Sequence, residues 1–228
     1  IGFLTAQILK RNDLADVLWG LSFGILALGF MLNTLAMWLI LAWSLRLSFH
    51  IGTRFKKHIK EDGRYAAFRK KWGNWQTTGA FLQVFVLQSL LALIVALPII
   101  YYQQALNAWY NYLGLALWIF GFSFEVIADW QLKKFLCKKT GKACNIGLWK
   151  YSRHPNYFGE VVLWWGFYLL TLNPATPWFV VLGPIMINIL ILKVSGVSML
   201  EKRMQNNPKY TEYLKTTSRF FPWFQKKL

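Results

Sequence analysis

Two short stretches hold side chains whose types and spacing can do chemistry. In YSRHPNYFGE, residues 151–160, an arginine and a histidine precede a proline, and Asn156 and Glu160 follow at i, i+4. Pro155 suits the first turn of a helix, where its missing N–H is no loss, so a helix is predicted to begin near His154. The unsatisfied amides and positive dipole end of that helix favour phosphate, with Arg153 and His154 as cationic or hydrogen-bonding groups at the same mouth. One turn deeper, Asn156 and Glu160 share a face, flanked by Tyr157. Arginine plus a helix start suits a pyrophosphate, and an amide plus a carboxylate suits ribose hydroxyls or a carboxamide. The alternative is an interfacial cap in which Arg153 reaches out to lipid phosphates.

The second stretch, LWIFGFSFEVIADWQLKKF, carries Glu125, Asp129 and Lys133 at i, i+4, i+8 within an otherwise apolar run. Helical geometry puts all three on one stripe. Ionisable residues inside a membrane span are expensive and point to function, so the stripe is expected to line a hydrated pocket at its basic end. The alternative is that Asp129 and Lys133 satisfy each other and anchor the helix at the interface.

The elements that must position these groups are membrane helices. The 228 residues are 56% hydrophobic and 18% aromatic, with 13 tryptophans, far greasier than a soluble domain. Apolar runs long enough to cross a bilayer, about 20 residues each, are read at 12–32, 34–55, 80–100, 111–132, 157–173 and 175–197. Asn33-Thr34 divides the first two into a hairpin. The prediction is an all-α polytopic protein with about six transmembrane helices, with room for a seventh cut short at the N-terminus. It is read as a single integral membrane domain over 1–228, with 111–228 as the cofactor-binding half.

Lysine and arginine number 26 against 9 acids, a formal charge of +17. They gather at Lys10 and Arg11, from Arg54 to Lys71, from Lys133 to Arg153 and from Lys202 to Lys227, whereas GFMLNT, YYQQALNAWYNY and LNPATP carry no charge. Every second connection is thus basic, which is the positive-inside pattern with both ends cytoplasmic. The excess charge is explained by topology and anionic lipid, which argues against nucleic acid as a partner. Cys137 and Cys144, spaced C-x6-C without a nearby histidine pair, are read as unpaired thiols. His50, His58 and His154 do not cluster, so no metal is expected.

GLWKYSRHPNYFGE followed by LWWG, together with ADVLWG, LRLSFH, EDGRY, ADWQLKKF and the C-terminal KYTEYLKTTSRFFPW, resembles the membrane-embedded steroid 5-alpha-reductase-like family, in particular its bacterial branch. The sterol C-14 and C-7 reductases share the R-H-P-N-Y-x-G-acid core. The resemblance implies NADPH as cofactor and hydride transfer to an activated carbon–carbon double bond, an enone, in a steroid-like or other lipid. Residue by residue it assigns the cofactor pocket to Asp129, Trp149, Tyr151, Arg153, His154, Asn156, Tyr157 and Glu160, and, with a one-residue adjustment of spacing, to Glu201 and Tyr210. Glu125 and Lys133 join that set from the charged stripe.

Two departures matter. Leu136 stands where the sterol reductases place an arginine, so the phosphate contact is expected to pass to Lys133, Lys134 or Lys138. The Glu–Tyr pair of the steroid enone reductases is represented by Asp16 and Trp43, and tryptophan cannot supply a proton. Candidate catalytic donors to the substrate oxygen are Asp16, kept protonated by apolar surroundings, and Arg46 and His50, which share a helix face. Asp16 as a helix cap and Arg46–His50 as an interfacial pair are the alternatives.

The loop 55–76 is expected to lie on the membrane surface or to close over the cofactor. Multi-pass insertion in a bacterial inner membrane, in preference to endoplasmic reticulum, with a cytoplasm-facing site completes the reading. Its rivals are a methyltransferase of the isoprenylcysteine or phospholipid type that uses S-adenosylmethionine, and a non-catalytic lipid-binding or scaffold protein.

Overall fold

The computed structural model describes residues 1–57, 60–102, 108–137, 143–205 and 207–226. Of the residues singled out above, Lys138 and His58 lie outside that set. The chain is an all-α polytopic membrane protein. Among the described residues, four helices are long and apolar enough to cross a membrane, Leu35–Lys57, Gly63–Val95, Trp109–Cys137 and Trp178–Lys202, and Leu14–Phe30 is a shorter apolar helix. With Pro155–Thr171, each of the six predicted spans falls on a helix. The chain divides into two compact units, Ile1–Gln104 and Ala105–Leu228, and the expected cofactor-binding half falls within the second.

The first unit opens with α1 (Gly2–Leu9), α2 (Leu14–Phe30) and α3 (Leu35–Lys57). The turn between α2 and α3 forms where the polar pair predicted it. Asn33 takes the left-handed conformation at φ 62°, which asparagine tolerates better than most side chains, and Thr34 Oγ1 donates to Met31 O at 2.6 Å while accepting from Met37 N at 3.1 Å. Small residues then let α2 and α3 approach closely. Ser44 Oγ donates to Gly20 O at 2.8 Å and Ser48 Oγ to Val17 O at 3.3 Å. Trp43 is fully buried edge-on against Phe23, with ring centroids 5.5 Å apart, so it serves as packing at the position where the resemblance placed a reacting tyrosine.

The basic segment after α3 is a helix, α4 (Gly63–Trp72), capped by Asp62, whose side chain accepts from Arg64 N. It continues through α5 (Gln76–Ala80), a π-helical turn at Phe81–Val86 and α6 (Leu87–Val95), and α7 (Leu97–Ile100) follows with Pro98 in its first turn. The ion pair Arg64–Asp16 at 2.7 Å and the bond from Asn12 N to Glu61 Oε1 at 2.7 Å fasten this segment to the α1–α2 end of the unit, and Arg69 holds Glu61 in place at 2.9 Å.

The second unit is built on α8 (Trp109–Cys137) and α9 (Pro155–Thr171). Glycines bring their backbones into contact: a Cβ on Gly121 would meet Leu163 N at 2.5 Å and Gly159 O at 2.6 Å, and one on Gly166 would meet Trp118 N at 2.5 Å. At the far end Asn111, 1% exposed, turns its amide N–H groups towards Leu169, Leu170 and Leu172 carbonyls at 3.0, 3.1 and 2.8 Å. At the end of a helix such carbonyls lack the usual i+4 donor, and here, among the described residues, only Leu169 O has a backbone substitute, from Leu172 N at 3.4 Å. α10 (Leu182–Ile189), a π-helical turn at Leu190–Val194, α11 (Val197–Gln205) and α12 (Thr211–Thr216) complete the unit, and an extended tail closes it.

Candidate functional site

The predicted start of α9 is observed. Pro155 occupies the first turn, His154 is the N-cap residue, and no side chain caps the helix. Around that start the chain folds back on itself. Ser152, fully buried, donates from Oγ to Phe220 O at 2.7 Å and accepts from His154 N at 3.1 Å. Arg153 N donates to Ser218 O and Trp223 N to Tyr151 O, both at 2.9 Å. The tail 217–226 therefore straps the motif 149–154 in place.

Glu201 of α11 is the hub of the cluster. One carboxylate oxygen accepts from Arg153 Nη1 at 3.0 Å, and the other lies 2.8 Å from His154 Nε2. The side chains of Arg153, Glu201 and His154 are only 11%, 7% and 1% exposed. Burial lowers the His154 pKa, and contact with Glu201 only partly opposes it. The imidazole is thus neutral at pH 7, with its proton on Nε2 donated to the carboxylate. Burial also pulls the Arg153 pKa down, against the attraction of Glu201. Tyr157 stacks on His154 with ring centroids 5.9 Å apart.

In the first turn of α9, Asn156 Nδ2 donates to Asp129 Oδ1 on α8 at 3.1 Å. Glu125 and Glu160, 2% and 8% exposed, are buried in the same helix pair. The charged stripe of α8 thus separates by depth: Glu125 and Asp129 are enclosed, while Lys133 is exposed. Two polar atoms in this neighbourhood are buried without a hydrogen-bond partner among the described residues, Arg153 Nε and Asn156 Oδ1. One is a cationic donor and the other an amide acceptor. A ligand carrying both an anionic oxygen and an N–H or O–H would satisfy both.

The remaining expected positions have other roles or stand apart. Trp149 is buried, donates from Nε1 to Ala128 O at 2.9 Å and fixes its loop on α8. Tyr151 is on the rim, 37% exposed, with its ring edge-on to Phe224. Tyr210 is half-buried at the N-cap of α12. The tyrosine that reaches the motif is instead Tyr213, whose hydroxyl donates to Trp149 O at 2.8 Å; burial raises its pKa, so it stays protonated. Lys134 lies over the Trp130 ring at 5.0 Å. Cys144 is buried and its thiol is pushed up to about 11, which makes it a poor nucleophile.

In the first unit the surroundings of Asp16 differ from the apolar setting expected. Its carboxylate accepts from Arg64 at 2.7 Å and from the Tyr65 hydroxyl at 2.6 Å. Asp16 is the acceptor in both bonds, and Tyr65 carries the proton of that pair. Gln88 donates to the same hydroxyl at 3.2 Å. Sequence spacing gives no hint of Tyr65, because 49 residues separate it from Asp16. Arg46 and His50 are half-buried a turn apart on α3.

A family described as "Protein of unknown function (DUF1295)" matches residues 2–217. An uncharacterized protein of Schizosaccharomyces pombe is 28% identical over 147 residues, which is 53% of this chain and 41% of the relative. The matched stretch is thus well under half of that relative's length. No solved structure matches the chain.

Proposed function

The chain belongs to the DUF1295 family, and we propose that it is a membrane oxidoreductase of the steroid 5-alpha-reductase-like kind, using NADPH to reduce an activated C=C bond of a steroid-like or other lipid substrate. The observation that carries this reading is the pairing of two orphaned atoms at the head of α9, Arg153 Nε and Asn156 Oδ1, beside a helix start with no side-chain cap. The donor set fits the cofactor: the guanidinium and first-turn amides suit phosphate oxygens, and the amide oxygen suits a carboxamide or ribose hydroxyl.

When bound, NADPH supplies the hydride. The protein's own groups hold and orient. Glu201 fixes the planar guanidinium of Arg153 through one oxygen and the His154 ring through the other, so the two are held in one arrangement. Asp129 aims the Asn156 amide by taking one of its N–H protons. The glycine-packed α8–α9 seam and the C-terminal strap keep water out of this neighbourhood and hold its geometry rigid.

The basic connections favour the cytoplasmic side for this site, where NADPH is available, and a bacterial inner membrane fits the resemblance. The reading is tested by incubating detergent-solubilised protein with NADPH and a panel of lipid enones. Substrate-dependent loss of absorbance from the reduced nicotinamide, with a product two hydrogens heavier, is the expected result. Methyl transfer from S-adenosylmethionine to any of the lipids would replace the proposal with its nearest rival.

A further inference from the structure

The exposed face of α8 ends in a groove lined by none of the residues clustered around Glu201 and Asn156. Two adjoining cavities of about 280 and 240 Å³ share Trp130 and Lys134. Phe135 and Ile146 line the first and Lys133 the second, and none of the described lining residues is acidic. Trp130 and Ile146 are 58% and 45% exposed, and Lys134 lies over the indole at 5.0 Å.

The face above the groove is apolar and open. Phe120, Ile127, Trp130 and Lys134 follow one another at spacings of seven, three and four residues, which is one helix face. Phe120 and Ile127 are 50% and 45% exposed. From Phe120 to Trp130 the helix rises about 15 Å, enough to lay most of an acyl chain along it. The stripe ends at two lysines where the span meets a basic connection.

We propose that this groove is a binding site for a glycerophospholipid with an anionic headgroup, its acyl chain along the α8 stripe and its phosphate between Lys133 and Lys134. Charge complementarity sets the sign of the headgroup, and the continuous outward apolar stripe requires a ligand that is itself in the bilayer. The indole supplies an amphipathic wall at headgroup depth, the position tryptophan favours in membranes, and basic pockets on the cytoplasmic side of transmembrane helices suit such headgroups. The inference gives to a lipid the lysines, Lys133 and Lys134, that the reductase reading offered to the cofactor phosphate, and it leaves the cluster around Glu201 and Asn156 untouched.

Native mass spectrometry of the purified full chain, titrated with phosphatidylglycerol and with phosphatidylcholine, tests it. The wild type is expected to retain one phosphatidylglycerol with a preference of roughly fivefold or more, about the effect of one lysine near an anionic surface. Lys134→Gln should remove most of that preference, and Trp130→Ala should weaken retention of both lipids. Lys71→Gln, in the other unit, should change neither. Both groove positions are exposed, and unchanged melting of the two variants checks that they fold. Equal retention of the two lipids, an unchanged preference in Lys134→Gln, or displacement of the lipid by NADPH would overturn the proposal, the last by assigning the groove to the nucleotide.

Discussion

Asn156 and Asp129, 27 residues apart in sequence, meet across the α8–α9 seam with Nδ2 donating to Oδ1 at 3.1 Å. This bond orients the amide whose oxygen has no protein partner among the described residues. Asn156→Ala is therefore predicted to remove a ligand contact and to leave a mostly buried carboxylate with one donor fewer. The expected loss of stability is about 1–3 kcal/mol, and NADPH affinity should fall by roughly tenfold or more, as for any lost hydrogen bond to a buried polar group. Asp129→Asn keeps the shape and should lose affinity with a smaller change in melting temperature. Chemical unfolding in detergent and a binding titration separate the two effects.

Glu201 holds two groups at once, so the form of its replacement matters. Glu201→Ala leaves the buried Arg153 guanidinium without its counter-charge, a loss of about 3–5 kcal/mol for a buried pair broken on one side. Glu201→Gln still offers an oxygen to one partner and should lose only about 1–3 kcal/mol. Equal losses in the two variants would contradict this graded order and show that the carboxylate charge alone carries the effect.

The pH dependence follows from His154. An unperturbed imidazole titrates near 6.5, and burial places His154 below that. Between the two values the unfolded chain binds a proton that the native state refuses, so stability falls as pH drops through that window. Above about 6.5 this contribution is flat and fully present, and below the native value no more is lost. The melting temperature in detergent should therefore decline as pH falls from about 6.5, and His154→Gln should flatten that limb. A decline that survives the substitution would contradict the neutral imidazole.

Gly121 packs backbone against backbone, whereas Gly29 at the end of α2 has nothing within 4 Å of the place a methyl group would take. Gly121→Ala must push α9 away and is predicted to destabilise by about 1–3 kcal/mol. Gly29→Ala should be neutral or stabilise by up to about 1 kcal/mol through helix propensity. Parallel thermal melts of the two variants make the comparison.

Much of the architecture was legible because membrane helices announce themselves through length, hydropathy and charge. Pro155 marked the start of α9, Asn33-Thr34 marked the hairpin turn, and i, i+4 spacing put Asn156 with Glu160 on one helix and Glu125 with Asp129 on another. What could not be read depended on contacts between residues distant in sequence. Nothing local in Asp16 announces Arg64 and Tyr65, and its ion pair replaces the apolar pocket expected. The resemblance offered Trp149 to the cofactor pocket, and only the fold shows that its indole N–H is given to Ala128 O. Tyr210 and Tyr213 are indistinguishable by composition, and only the fold of the tail decides that Tyr213 reaches the motif. Trp43 illustrates the same limit, since a buried tryptophan in a span reads alike whether it packs or reacts.

The head of α9 is proposed to hold a dinucleotide. Titration of the purified protein with NADPH and, separately, with S-adenosylmethionine tests it most directly, with Arg153→Lys as the paired variant because it keeps the charge and removes the planar donor fork. The account predicts micromolar binding of NADPH, none of S-adenosylmethionine, and a loss of roughly tenfold or more in the variant. Binding of S-adenosylmethionine alone, or of neither compound, would contradict it.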